Sequence, residues 1–232
     1  MKNKNIIITG GNKGIGFGLV KKLSEKHNII FTVRSKKKGE KTLNSLINVH
    51  NIPKYVIMDV TSSSSVNRGF ELINESMGSI DILINNAGIL IPGLKSNIPA
   101  IDTNEDDILK TFNTNTMGVL RVTKSAVLLM KKGSMVLNIS SGMGQLEDMG
   151  TGSAAYRLSK TALNALTVIL ASELKAKSIY VNAICPGWVQ TDMGGENAEL
   201  TVDESVSKII KFIYSDSIPN GKFLRDGKIL PW

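Results

Sequence analysis

A single cysteine, Cys185, stands among 232 residues, so no internal disulfide can form and the composition fits a reducing, cytoplasmic setting. Cys185 reads more simply as a small apolar residue at a strand end than as a nucleophile. The two histidines, His27 and His50, sit in no recognisable motif, and without a Cys/His cluster no metal site is expected. No run of about 18 apolar residues occurs, so no membrane partner is expected. Aromatic residues make up only 5% of the chain, too few to stack bases in series. The net charge of +8 therefore does not point to nucleic acid, because 28 Lys and Arg are interleaved with 20 Asp and Glu. The densest basic cluster, RSKKKGEK at 34–41, reads as a solvated loop and helix start. Internal repeats, low-complexity tracts and Pro/Gly/Ser linkers are also missing. The opening MKNKNIIITG has too short an apolar run for a signal-peptide core and reads as the first strand of the fold.

What the chain has is alternation. Short, β-branched, nearly continuous apolar runs at 5–10, 29–34, 55–60, 81–88, 134–141 and 179–187 predict strands covered on both faces, with a short last strand at 221–227. Between them, helical patterns fall at about 14–26, 38–49, 63–77, 105–131, 154–176 and 202–214. Asp203 and Glu204 favour the start of the last helix through its dipole. This order predicts a single α/β domain over 1–232, a Rossmann-type doubly wound parallel sheet of about seven strands with helices on both faces. A cofactor-binding half would cover about 1–130, and a catalytic and substrate half about 131–232.

The first strand runs into TGGNKGIG, residues 9–16. Gly10, Gly14 and Gly16 lie where strand turns to helix, and backbone lacking Cβ there can approach a pyrophosphate closely. The helix start adds free amides and a positive dipole end. After the first strand of an alternating chain, this tract predicts dinucleotide binding. The second strand ends in TVRS, with no acid to hold a ribose 2′-hydroxyl. Arg34 instead offers a fork suited to phosphate, and Lys13 approaches from the glycine turn, so NADP(H) is expected over NAD(H).

A second feature lies in SAAYRLSK, residues 153–160. Tyr156 and Lys160, at i and i+4, share a helical face, about 6 Å apart along the axis. A free phenol titrates near 10, and bringing it near 7 requires roughly 4 kcal/mol. A unit positive charge at about 4 Å supplies that much at an effective dielectric of about 20. Lys160 is thus expected to tune Tyr156 into a usable proton donor.

Taken in order, TGGNKGIG (9–16), DV (59–60), NNAG (85–88), NTNTMG (113–118), NISS (138–141), YRLSK (156–160) and CPGWVQTDM (185–193) resemble the landmarks of the short-chain dehydrogenase/reductase family. NKGIG, the Arg after strand two, CPGWVQTDM and Trp232 most resemble its carbonyl-reductase-like members. The resemblance covers nearly the whole chain. It implies that Gly10, Asn12, Lys13, Gly14, Ile15, Gly16 and Arg34 bind the cofactor, that Asp59 and Val60 contact adenine, and that Asn86, Ala87 and Gly88 line the crevice. Pro186, Gly187, Val189 and Thr191 would cradle the nicotinamide. Tyr156 would be the acid/base, with Lys160 also holding the nicotinamide ribose. Ser141 would bind the carbonyl oxygen, stabilising charge as it develops, and Asn115 would hold a water in a proton relay. The segment GMGQLEDMGTGSAA between Ser141 and Tyr156 is slightly longer than usual in the family, which leaves the choice between Ser140 and Ser141 open.

Met143, Leu146, Met149, Trp188 and Met193 are candidates for an apolar substrate pocket, or for loop packing. MGGENAEL, at 193–200, suits a mobile lid. The expected activity is NADPH-dependent reduction of a small aldehyde, ketone or quinone. A reductase of carrier-bound 3-oxoacyl groups and a non-catalytic dinucleotide-binding redox sensor are the alternatives. The helix at 154–176 is apolar on more than one face, which suggests a homodimer or tetramer.

Overall fold

Three consecutive isoleucines, Ile6, Ile7 and Ile8, are each fully buried, and they set the plan of the molecule. Successive side chains of a strand point to opposite faces, so a strand apolar at every position must be covered on both sides. Ile6 and Ile8 pack into one core with Leu19, Phe31, Val206 and Phe212. Ile7 packs into the other with Ile30, Phe70, Leu83 and Val136. A computed structural model describes residues 3–46, 49–91 and 98–232.

The strands are β1 (Asn5–Ile8), β2 (Asn28–Val33), β3 (Lys54–Ile57), β4 (Ile80–Asn85), β5 (Met130–Ile139), β6 (Tyr180–Ile184), β7 (Phe223–Arg225) and β8 (Lys228–Leu230). The helices are α1 (Gly14–Leu23), α2 (Lys36–Asn44), α3 (Ser63–Met77), α4 (Glu105–Phe112), α5 (Gly118–Ala126), α6 (Ala154–Glu173) and α7 (Val202–Ile213). The sheet order is β3-β2-β1-β4-β5-β6-β7-β8. Every pairing is parallel except β7 with β8. The expected doubly wound sheet is thus present. The winding reverses between β1 and β4, and a ligand crevice is expected above the carboxyl ends of the strands at that point.

Three local differences from the sequence reading have physical reasons. The last strand, expected as one run at 221–227, is a hairpin of β7 and β8. Asp226 and Gly227 both take positive φ, 51° and 75°, as a two-residue type I′ turn requires. The helix expected over 105–131 is three segments, because a π-helical stretch at Asn113–Met117 separates α4 from α5. Its last residues belong to β5, which starts at Met130 and shifts register against β4 between Ile80 and Ile82. The helix expected over 38–49 ends at Asn44, and residues 47 and 48 lie outside the described residues.

Candidate active site

The phosphate end is built from backbone. Gly10 and Gly14 take positive φ, 67° and 53°, as β1 turns into α1. Lys13, which precedes α1, gives no side-chain cap, so no side chain of its own covers the first amides of the helix. A Cβ on Gly16 would run into the Gly10 carbonyl and the Asn86 side chain. Asn86 itself braces the turn, donating from Nδ2 to the carbonyls of Thr9 at 2.9 Å and Gly10 at 3.1 Å. The Thr9 hydroxyl accepts from the amides of Asn86 and Ala87, both at 3.0 Å. The turn is therefore tied to the end of β4, and Ala87 packs against Gly10. Asn12 and Ile15 are half-buried in it.

Arg34 ends up exposed just past β2. It lies near enough to Asp59 to act on its charge, although the carboxyl is held below its usual range first by hydrogen bonds from Thr61. Those bonds run from the Thr61 hydroxyl at 2.7 Å and its amide at 2.9 Å. Val60 is buried beside Asp59. The Lys13 ammonium pairs with Asp192 at 2.7 Å. That pair links the glycine turn to the loop after β6. Thr191, from the same loop, stands over Gly14.

The loop after β6, which includes the lid expected at 193–200, carries contacts of its own. Val189 bridges to Leu200, the Trp188 indole donates to the Gly194 carbonyl at 2.9 Å, and the Gly194 amide donates to the Thr191 hydroxyl at 3.1 Å. Pro186 accepts from the Ser205 hydroxyl at 2.8 Å, and Gly187 has a φ of 85°. Leu146, Met149 and Trp188 are exposed, while Met143 and Met193 are half-buried. None of the five lines the cavity of about 90 Å³ that lies between α7 and β7, behind the Pro186–Gly187 turn.

The catalytic end is built from buried side chains. Tyr156 and Lys160 share one face of α6 and are 8% and 5% exposed. The Lys160 ammonium donates to the Ile139 carbonyl at 2.7 Å and lies 5.6 Å from the centre of the Tyr156 ring. Between the two serines the geometry separates roles. The Ser141 hydroxyl accepts from the Met143 amide at 3.1 Å and hydrogen-bonds the Tyr156 phenol. Ser140 turns away, and its buried hydroxyl donates to Asn164 at 2.6 Å.

In the protein without cofactor, the surroundings of Tyr156 favour the neutral phenol. Burial pushes the phenol up to about 12, the Ser141 hydrogen bond only partly offsets this, and Cys185 adds to the rise. Burial likewise pushes Lys160 down to about 8. Burial removes the water that would stabilise a phenolate or an ammonium, so each group is pushed toward its neutral form.

Asn115, in the π-helical stretch, is fully buried, and its side chain is engaged by protein. It donates to the Ile89 carbonyl at 2.9 Å and the Ser159 hydroxyl at 3.0 Å, and accepts from the Ile89 amide at 2.8 Å. Gly88 packs between Asn115 and the Lys160 ammonium. Several contacts were not foreseen from sequence: Asn164 with Ser140, Ser159 with Asn115, Thr9 under the glycine turn, and the Arg225 guanidinium, which places two nitrogens on the Cys185 sulfur at 3.1 and 3.2 Å. Asn164 and Ser159 had a usable signal, since both fall within one turn of Lys160. Arg225 had none. Among the described residues no cluster of potential metal ligands occurs, and no helix is long and apolar enough to cross a membrane.

The family model for short chain dehydrogenases matches residues 4–201. Among curated relatives, 3-oxoacyl-(acyl-carrier-protein) reductase FabG of Aquifex aeolicus is 30% identical over 227 residues, covering 96% of this chain and 85% of the relative. Carbonyl reductase (NADPH) 1 of Mus musculus is 25% identical, covering 97% of each. Among solved structures, NADPH-bound carbonyl reductase from chicken fatty liver superposes with a TM-score of 0.89 at 28% identity, and carbonyl reductase Sniffer of D. melanogaster with 0.89 at 30%, each covering both chains in full. With the family model matched over most of its length, a glycine turn after β1, and Tyr156 and Lys160 on one face of α6, the chain belongs to the short-chain dehydrogenase/reductase family and is a carbonyl-reductase-like member of it.

Proposed function

We propose that this protein is an NADPH-dependent oxidoreductase that reduces a small carbonyl compound, an aldehyde, ketone or quinone, to the alcohol. The observation that carries the reading is the convergence of Ser141, Tyr156 and Lys160, two of them almost fully buried, at the switch-point crevice. The residues present fit a phosphorylated dinucleotide: a turn that only glycine fits, an adjoining helix start without a side-chain cap, and an exposed guanidinium with no acid at the end of β2. Two similar proteins bear NADPH in their descriptions, which supports the choice. Bound NADPH supplies the hydride.

The protein's own groups do the rest. Ser141 and Tyr156 donate hydrogen bonds to the carbonyl oxygen, and Tyr156 gives its proton to that oxygen as charge develops. A phenol held at about 12 is still a far stronger acid than an alcohol, so it protonates a forming alkoxide readily. In reverse the same group, as phenolate, accepts the alcohol's proton. Lys160, at about 8, is mostly charged at pH 7, so it can hold the ribose and return a proton to the phenol. Asn115, bonded through its side chain to Ile89 and Ser159, shapes the helix beneath the site and takes part in the proton relay.

The test is NADPH consumption across aldehydes, ketones, quinones and acyl thioesters, with NADH in parallel. Turnover of simple carbonyls with NADPH is expected; no turnover of any would sink the reading. The 30% identity to an acyl-carrier-protein reductase favours a second reading, reduction of carrier-bound 3-oxoacyl groups, which turnover dependent on an acidic carrier would select. We further propose a homodimer formed on α4 and α6, where Leu109, Leu158 and Ile169 are 65%, 53% and 52% exposed. A monomeric mass by light scattering at assay concentration would remove it.

A further inference from the structure

Tyr156, Lys160 and Asn164 occupy one face of α6 at i, i+4 and i+8. Asn164 is 3% exposed, and both ends of its amide are used. Its Oδ1 accepts from the Ser140 hydroxyl at 2.6 Å, and its Nδ2 donates to the Gly144 carbonyl at 3.1 Å. A carbonyl can only accept, so the Gly144 contact fixes which end of the amide is nitrogen. One side chain therefore grips the Ser141-bearing turn on both sides, one residue before the serine and three after it. The turn is also pressed onto the helix. A Cβ on Gly144 would lie 2.6 Å from the Lys160 carbonyl carbon and 2.7 Å from its Cβ. The Thr161 hydroxyl adds a second bond to the Gly144 carbonyl at 3.1 Å.

We infer that Asn164 is a positioning residue of the reaction, setting the Ser141 hydroxyl at hydrogen-bonding distance from Tyr156 by locking the turn after β5 to the helix that carries the acid. The inference rests on the reductase reading above. It follows from a mechanical fact: Ser141 and Tyr156 belong to different elements, and an oxygen bound by both needs their hydroxyls in fixed relation. An error of about 1 Å in such a relation can cost on the order of 100-fold in rate. Ser140 is the partner through which the lock closes, which gives the first serine of the pair a purpose of its own.

The experiment is a double-mutant comparison. Asn164→Ala and Ser140→Ala are each made in the parent and in a Ser141→Ala background, with folding checked by circular dichroism and thermal melting. In the parent, Asn164→Ala should lower kcat about tenfold or more and leave KM for NADPH within about twofold. In the Ser141→Ala background the same change should lower kcat less than about twofold, because no hydroxyl remains to be misplaced. Equal losses in both backgrounds, or an undiminished kcat in folded Asn164→Ala, would overturn the inference. Ser140→Ala, which removes one grip and keeps the other, decides the matter by the same criterion if Asn164→Ala does not fold. A readout independent of turnover is the carbon-13 resonance of the Tyr156 phenolic carbon, assigned by its loss in Tyr156→Phe. It should move the same way in Ser141→Ala, Asn164→Ala and Ser140→Ala, and an unmoved resonance in the last two overturns the inference even if no substrate is found. A wild type that turns over no carbonyl while the resonances move together would count against the reductase reading alone.

Discussion

The two ends of the crevice hold their ligand-facing groups by opposite means. At the phosphate end, conformation does the work: positive φ at Gly10 and Gly14, an α1 start without a side-chain cap, and Asn86 bracing the turn through backbone carbonyls. At the catalytic end the functional groups are side chains, and several are held by other side chains, as with Asn115 and Ser159, Ser140 and Asn164, or Ser141 and Tyr156. A backbone cradle tolerates different side chains around it and is broken chiefly by added bulk. A side-chain network fails one hydroxyl at a time, and its members lose their effect when a partner is already gone.

The largest expected effect falls at the catalytic end. Tyr156→Phe should lower kcat by about 10³-fold while the dissociation constant for NADPH, read by fluorescence titration, changes less than about threefold. Equal loss of binding would mean that the two ends are not separable. Next, Arg34→Ala should weaken NADPH binding by about 10- to 100-fold, the worth of one or two charge-assisted hydrogen bonds, and leave NADH unchanged. A matching loss for NADH would show that the guanidinium does not discriminate the 2′-phosphate. A smaller effect should appear in the pH profile. Lys160 carries its charge below about pH 8, so the reduction rate at saturating cofactor should fall as pH rises through that value. A flat profile to pH 9 would mean that the ammonium is not needed.

The smallest effect should lie outside both ends. His27 is buried, accepting at Nδ1 from the Lys4 amide at 3.2 Å and meeting the Tyr214 hydroxyl through Nε2 at 3.0 Å, so it is neutral with its proton on Nε2. Burial, with Lys4 and Lys26 adding to it, lowers its pKa. The unfolded chain therefore binds the proton first, and stability should decline as pH falls below about 6.5, toward the lower folded value. Thermal melts should show this loss, His27→Gln should reduce it, and kcat at pH 7 should not change.

The parallel strands were legible because each is apolar at consecutive positions, and α1, α3, α6 and α7 because glycine, serine or acidic residues mark where they begin. The phosphate end was legible for the same reason, since its groups are neighbours in sequence. The π-helical stretch has no local signature, and the final hairpin was overlooked although Asp226–Gly227 is a strong turn signal. At the catalytic end, the i, i+4 spacing of Tyr156 and Lys160 was readable. The direction of the phenol's shift was not, because it depends on burial by residues distant in sequence.

The hairpin of β7 and β8 has one further consequence. Without β8, the sheet would end at β7, a parallel strand with open amides and carbonyls. The antiparallel return covers that edge with three residues, places Lys228 and Pro231 along it, and lets Trp232 stack on Phe223 at 5.8 Å. An outer strand so short and charged gives a neighbouring copy little to extend. Ribbon-to-ribbon growth is therefore disfavoured on that flank.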